Sequence, residues 1–239
     1  MDQIIIKTES DAPAPLFIDP PIPEYMEKTY HWAYINPAIV SWLDRGLIVW
    51  AILWGNSERL MKSAFRDIEP GGNVLQAAYV YGDFSPRLAR HVGSEGRLDV
   101  IDVVPLQVEN CRARLKGIPR TNVRLADAAQ PGGGPYNSVC CYFLLHEMPY
   151  QKKIDVIKGL LDSVVPGGKV VFMDYHKPVR FHPLKGIMGL IWRKLEPYAL
   201  DLLEVEIKTL ADRDEFFTWT KETFFGGLYQ KVVATRRSI

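Results

Sequence analysis

The sequence lacks almost every feature that marks a nucleic-acid-binding, extracellular or membrane-spanning protein. Its 29 Lys and Arg nearly balance 28 Asp and Glu, for a net charge of +1. No basic field is expected to hold a polynucleotide. Three cysteines are too few and odd in number for a disulfide framework. Cys140 and Cys141 are adjacent in an apolar run, so they are expected as buried thiols in a reducing compartment, not as zinc ligands. The start, MDQIIIKTESDAPAP, has no basic region and only a three-residue apolar run, so no leader is expected. No stretch approaches the ~18 apolar residues of a membrane span. The nearest, Leu47 to Gly55, is preceded by Asp44 and Arg45. The expectation is a cytoplasmic protein, soluble or peripheral on the inner face of the cytoplasmic membrane.

What is present divides the chain into three parts. Residues 1–24 are rich in proline and polar residues and are expected as an extended arm. Residues 25–68 read as a helical cap dense in aromatics, with Asn36-Pro37 a helix start and Ser57-Glu58 opening a further helix. Residues 69–239 then alternate strand and helix. Strands are expected at 73–78, 97–102, 122–126, 138–143 and 169–174, with helices at 85–92, 105–116 and 151–164. That rhythm predicts a parallel sheet covered on both faces. It breaks at residues 178–215, where Leu184, Ile187, Met188, Ile191 and Leu195 fall at three- and four-residue steps, an amphipathic helical lid split by Pro197. Gly226-Gly227 predicts a closing hairpin.

Glycine is scarcest where a nucleotide-binding loop needs it. Between the first strand and its helix the chain reads VLQAAYVYG, with Gly82 alone remaining. Yet Asp102 lies 20 residues on (102 − 82 = 20), the offset of a ribose-binding acid, and Asp127 follows the third strand, where an adenine amino group is read. Drift in a tolerant loop, or loss of binding, is the bland alternative.

These markers, together with FLLHEMP and LDSVVPGGKVVFMD, resemble the class I S-adenosylmethionine-dependent methyltransferases over residues 70–235. The resemblance implies an α/β, Rossmann-like fold: a seven-stranded, mainly parallel sheet with helices on both faces, an N-terminal helical extension and the inserted lid. The family pattern acidic-x-Gly-x-Gly-x-Gly is replaced by Gln76, Ala78, Val80 and Gly82, which reshapes the methionine end of the pocket. Gln76, Ala78, Gly82, Asp102, Asp127 and Tyr142 are the expected cofactor contacts.

The loop, INPAIVSWLDRGLIVWAILWGN and GGLYQKVVATR narrow the resemblance to the RquA rhodoquinone biosynthesis family. That implies conversion of ubiquinone to rhodoquinone, a ring methoxy group giving way to an amino group. S-adenosylmethionine would be the amino donor and manganese a required metal. The alternatives are a conventional methyltransferase acting on a quinol or lipid-like phenol, or a non-catalytic quinone- or cofactor-binding accessory protein.

Tyr79, Tyr81 and His146 are the candidate catalytic residues, with plain aromatic packing and a helix-start histidine as the alternatives. Asp174 and His176, two apart on extended backbone and so on one face, join Glu147 as candidate manganese ligands. The alternative is a capping carboxylate beside an ordinary histidine. A polyprenylated quinone needs an apolar channel, and Lys185, Arg193 and Lys194 near exposed apolar groups suit reversible contact with anionic lipid.

Overall fold

The computed structural model describes residues 22–30, 44–213 and 215–238. The expected N-terminal arm, apart from its last three residues, and the Asn36-Pro37 helix start lie outside them. Helices α1 (Glu24–Tyr30), α2 (Gly46–Ile52) and α3 (Ser57–Phe65) precede β1 (Asn73–Gln76). There follow α4 (Phe84–Val92), β2 (Arg97–Asp102), α5 (Pro105–Leu115), β3 (Thr121–Leu125) and β4 (Tyr136–Tyr142). A 3₁₀ turn at Leu145–Glu147 leads to α6 (Tyr150–Asp162) and β5 (Val164–Tyr175). The lid consists of α7 (Lys185–Lys194), a 3₁₀ segment Pro197–Leu203 and α8 (Ile207–Ala211), and β6 (Phe217–Phe224) and β7 (Tyr229–Arg236) close the chain.

The seven strands form one sheet in the order β3-β2-β1-β4-β5-β7-β6. The first five strands pair in parallel, and β7 runs antiparallel to both its neighbours. The chain leaves β3 at one edge and returns as β4 beside β1, so the switch point lies between β1 and β4. Ligands bind there in open α/β sheets, beyond the carboxyl ends of the strands.

The apolar runs are continuous because both sheet faces are buried. Val74, Val100, Cys140 and Val171 point to one core, with α3, α4 and α7. Leu75, Ile101, Cys141 and Phe172 point to the other, with α6 and α8. The two cysteines therefore go to opposite faces as free, buried thiols, and burial pushes Cys140 up to about 12.

One expectation shifts and one holds. β5 begins at Val164, not at residue 169, because Val164 already pairs with Tyr136. Pro166-Gly167-Gly168 is a bulge within the strand, with Gly167 at φ 79°. The lid helix ends at Lys194, and Pro197 opens a separate 3₁₀ segment, as its missing N–H demands.

Gly159 lies inside α6, where alanine ordinarily stabilises a helix by about 1 kcal/mol. Here an added Cβ would stand 2.2 Å from the Ala129 carbonyl oxygen. Gly159→Ala should therefore destabilise the fold by about 1–3 kcal/mol in urea unfolding. A stabilised variant would contradict this packing of α6 on the loop after β3.

Candidate functional site

The strand ends at the switch point open into one cleft. Its walls include Ala78, Tyr79, Tyr81, Asp102, Asp127, Tyr142, His146 and Glu147, eight of the twelve residues expected from sequence. Apolar groups from Val49 and Ile52 of α2, from Leu53 just after it, and from Met148 and Val156 complete the wall.

Gln76 and Gly82 do not line it. Gln76 is fully buried, and its Nε2 donates to Ala78 O at 2.8 Å and Ser85 Oγ at 2.8 Å. It staples the loop to α4. Gly82, at φ 84°, donates its N–H to Asp44 Oδ1 at 2.7 Å. That carboxylate also accepts the Tyr79 hydroxyl at 3.2 Å and Arg114 Nη2 at 2.7 Å. The glycine-poor loop is thus held by Asp44, which sequence reading did not single out because it is 38 residues away. Tyr79 has its hydroxyl committed to Asp44, so its part in the cleft is that of a wall. Tyr81 packs edge-on to Tyr79 with ring centroids 6.1 Å apart, and its hydroxyl accepts from Gln107 Nε2 at 3.0 Å.

Asp102 sits at the end of β2. Its Oδ2 accepts Tyr79 N–H at 3.0 Å and its Oδ1 accepts Val104 N–H at 2.9 Å. Each oxygen keeps a further lone pair for a diol. Burial pushes this carboxyl up to about 6, against the backbone N–H groups that favour its charge. Asp127 accepts Ala129 N–H at 2.8 Å and pairs with Lys152. Tyr142 packs on Phe84 at a ring distance of 4.2 Å and forms part of the floor.

The densest chemistry lies after β4. Asp174, almost fully buried, accepts four N–H groups. They are Leu145 N at 2.9 Å and His146 N at 3.3 Å on Oδ2, with His146 Nδ1 at 2.9 Å and Tyr175 N at 2.7 Å on Oδ1. The His146 tautomer follows from this contact: Nδ1 carries the proton, and Nε2 faces the cleft. Glu147 Oε1 and Glu196 Oε2 each stand 3.9 Å from Nε2. Burial alone would lower the His146 pKa. Asp174, Glu196 and Glu147 outweigh it and hold it at about 9, so at neutral pH the ring is an imidazolium.

Glu196 was missed by sequence reasoning, since it lies past the lid helix with no motif around it. It lines the cleft, and burial raises its pKa while His146 and a Tyr30 hydrogen bond lower it. Lys153 positions it. This fully buried ammonium donates to Met148 O at 2.6 Å, Tyr198 O at 2.7 Å and Asp201 Oδ2 at 2.9 Å, clamping the 3₁₀ segment after Glu196 onto α6. Phe143, at φ 50°, turns the chain out of β4 and stands edge-on to Tyr175 and Tyr229 at 5.5 and 5.7 Å.

The manganese set is corrected. Among the described residues, no group of three or more His, Cys, Asp or Glu is placed to hold a metal. Asp174 is occupied by four donors. The His176 ring leaves in another direction, with Nδ1 on Gly227 O at 2.8 Å and Nε2 3.0 Å from the Lys221 ammonium. An ammonium against the ring nitrogen is no neighbour for a cation. Glu147 stays in the cleft, beside His146.

No family model matches the chain. A protein of Synechocystis described as an uncharacterized methyltransferase is 26% identical over 209 residues, 85% of this chain and 93% of its own length. Among solved structures, human N-acetylserotonin methyltransferase in complex with S-adenosylmethionine superposes with a TM-score of 0.61. It is 15% identical, over 90% of this chain and 63% of that one. A S-adenosylmethionine-dependent methyltransferase of Aquifex aeolicus gives 0.55 at 16% identity, over 84% and 98%. The fold is the Rossmann-like fold of the class I methyltransferases.

Removing the anchor tests the histidine's environment. Asp174→Asn should bring the His146 titration, read by NMR, from about 9 toward the ordinary imidazole range. It should also destabilise the protein by about 3–5 kcal/mol near neutral pH. A raised histidine pKa stabilises the folded state fully below about 6.5 and loses that effect as pH rises through about 9. The gap between variant and parent should therefore narrow at alkaline pH. An unmoved titration would remove Asp174 as the cause.

Proposed function

We propose that this methyltransferase-like chain is a S-adenosylmethionine-dependent transferase that aminates a polyprenylated benzoquinone, converting ubiquinone to rhodoquinone. The observation that carries the reading is the placement of His146 at an apolar cleft, with Asp174, Glu147 and Glu196 around its ring and raising its pKa. The resemblance of the glycine-poor loop to the rhodoquinone family supplies the substrate.

The residues fit the cofactor. Asp102 would take the ribose hydroxyls on its remaining lone pairs, Asp127 would face the adenine edge, and Ala78 and Tyr142 would wall the space between. When bound, S-adenosylmethionine would supply the amino group for the ring, whose methoxy group would leave as methanol, and the bond from that nitrogen to the cofactor's α-carbon would then be broken with water as co-reactant. The chain's own part is proton handling. His146 Nε2–H donates to the quinone oxygen on which negative charge gathers as a nitrogen attacks the ring. Glu196 Oε2, 3.9 Å from His146 Nε2, accepts the proton that the attacking nitrogen must lose. Tyr81 and Tyr79 fill the volume that glycines leave open in the usual loop and narrow the methionine end. No manganese ligand set supports this reading, and no step is assigned to a metal.

The same histidine also fits the second reading, methylation of a quinol or lipid-like phenol. There His146 would act as a base and would have to be neutral. The pH profile separates the two. Amination that uses the imidazolium should decline as pH rises through about 9, whereas base-catalysed methylation should climb over the same range.

The direct test is incubation with ubiquinone and S-adenosylmethionine labelled with 15N in its amino group, with and without added divalent cation. Labelled aminoquinone is the expected product. Methylated product without nitrogen transfer, or cofactor binding without turnover, would overturn the assignment. His146→Gln should lower the rate by about 10²–10³-fold.

Asp102→Ala should weaken cofactor binding by about 1.5–3 kcal/mol in calorimetry. In the parent protein, affinity should fall as pH drops through about 6, where this carboxyl takes up its proton and loses its charge. Unchanged affinity in the variant would displace the cofactor from β2.

A further inference from the structure

Helix α2 is apolar at every position, GLIVWAI, and buries none of them. Its inner residues Val49 and Ile52 reach the cleft. Its outer stripe, Leu47, Trp50 and Ala51, follows i, i+3 and i+4 and faces solvent, with Leu47 81% exposed and Trp50 55%, and Trp54, just past the helix end at φ 51°, extends it. A helix of a water-facing protein ordinarily turns polar groups outward.

A second segment continues this surface. The Trp54 indole N–H meets Met188 Sδ of α7 at 3.3 Å, so α2 and α7 adjoin although 134 residues separate the contact. α7 buries Met188 and Trp192 and exposes Ile187 and Leu190, and Phe181 just before it is 86% exposed. The resulting apolar face rims the cleft: α2 forms one wall, and Glu196, two residues after α7, belongs to the site itself.

Charge decides what covers it. From Pro178 to Leu195 there is no acidic residue. Arg180, Lys185, Arg193 and Lys194 are exposed, and none pairs with a described carboxylate. A second copy docked through this face by a twofold axis would set these cations against their own counterparts. An anionic bilayer presents both the hydrocarbon and the negative charge that the face lacks.

We propose that the outer faces of α2 and α7, with Phe181, form a docking surface for an anionic lipid bilayer, placing the cleft mouth against the membrane. The surface stands whichever group the cleft transfers, so its failure would leave the reaction untouched. It gives an apolar substrate a route into the cleft that does not cross water.

Vesicle flotation tests it with the full chain. Vesicles of phosphatidylcholine with about one third phosphatidylglycerol should carry the protein upward at low salt. High salt, which screens surface charge, or pure phosphatidylcholine should leave most of it behind. Ile187→Glu/Leu190→Glu changes two exposed positions and should reduce the floated fraction by about tenfold or more. Its cofactor affinity and melting temperature should be unchanged, which separates lost docking from lost folding. Absence of flotation on anionic vesicles at low salt, equal flotation on neutral ones, or an unaffected variant would overturn the proposal. So would a dimer in analytical ultracentrifugation that the double variant abolishes.

Discussion

The site depends on one buried carboxylate. Asp174 ends β5 with both oxygens turned toward the loop that leaves β4, and four N–H groups converge on it. An ionised carboxylate in a low-dielectric interior persists only where its lone pairs are filled. Here the filling comes from the backbone of Leu145, His146 and Tyr175 and from the His146 ring. The arrangement therefore fixes three things together: the path of the loop, the orientation of the imidazole, and the charge that keeps it protonated. Without Asp174, the ring would lose its partner and the 3₁₀ turn two of its anchored N–H groups. The strained turn at Phe143 lies between these anchors and β4, so strain is stored beside the reacting groups.

The loop after β1 follows a different logic. A glycine-rich loop brings backbone N–H groups to a ligand by keeping side chains out. This loop keeps two tyrosine rings in, and its backbone and polar groups are bound from behind. Gln76 holds Ala78 O from within the sheet, and Asp44 holds Gly82 N and the Tyr79 hydroxyl from the segment before α2. Asp102 then takes Tyr79 N–H, which places that carboxylate and the loop in one hydrogen-bonded unit. Arg114 neutralises Asp44 and ties α5 into the same unit. The loop is accordingly a rigid wall and not a degraded one.

Much of this was legible before any coordinates. The strand and helix order, Asp102 and Asp127 at the strand ends, and His146 with Glu147 after β4 all follow from local pattern. That is because the carboxyl ends of the five parallel strands all lie on the edge of the sheet where the cleft opens. What failed to show was long-range. Asp44 and Glu196 carry no motif, and each reaches the site only through tertiary packing, Asp44 across 35 residues to Tyr79 and Glu196 across 50 to His146 (196 − 146 = 50). The metal reading failed for a related reason. Two-residue spacing puts Asp174 and His176 on one face of an ideal strand, but β5 ends at Tyr175, and beyond it the chain turns toward Gly227 and Lys221. A period-two rule describes a strand and not the residue just past it.

Charge in the cleft bears on which chemistry suits it. Three carboxylates, Asp174, Glu147 and Glu196, surround one imidazole. The field they make opposes formation of any further anion nearby. Burial first, and then Glu147, push the Tyr25 hydroxyl well above the ordinary phenol range, and burial does the same for Tyr81, with the Gln107 hydrogen bond opposing it and Glu147 adding to it. A substrate phenol in the same place would meet the same resistance to becoming the phenolate that methyl transfer requires. A neutral quinone, the substrate proposed above, enters without charge and meets this resistance only as electron density shifts onto its oxygen. The oxygen that gathers electron density can lie against His146 Nε2–H, where an apolar lining strengthens the interaction by excluding water. The arrangement that hinders ionisation of a phenol is the one that sustains the imidazolium, and an acceptor carbonyl benefits from it directly.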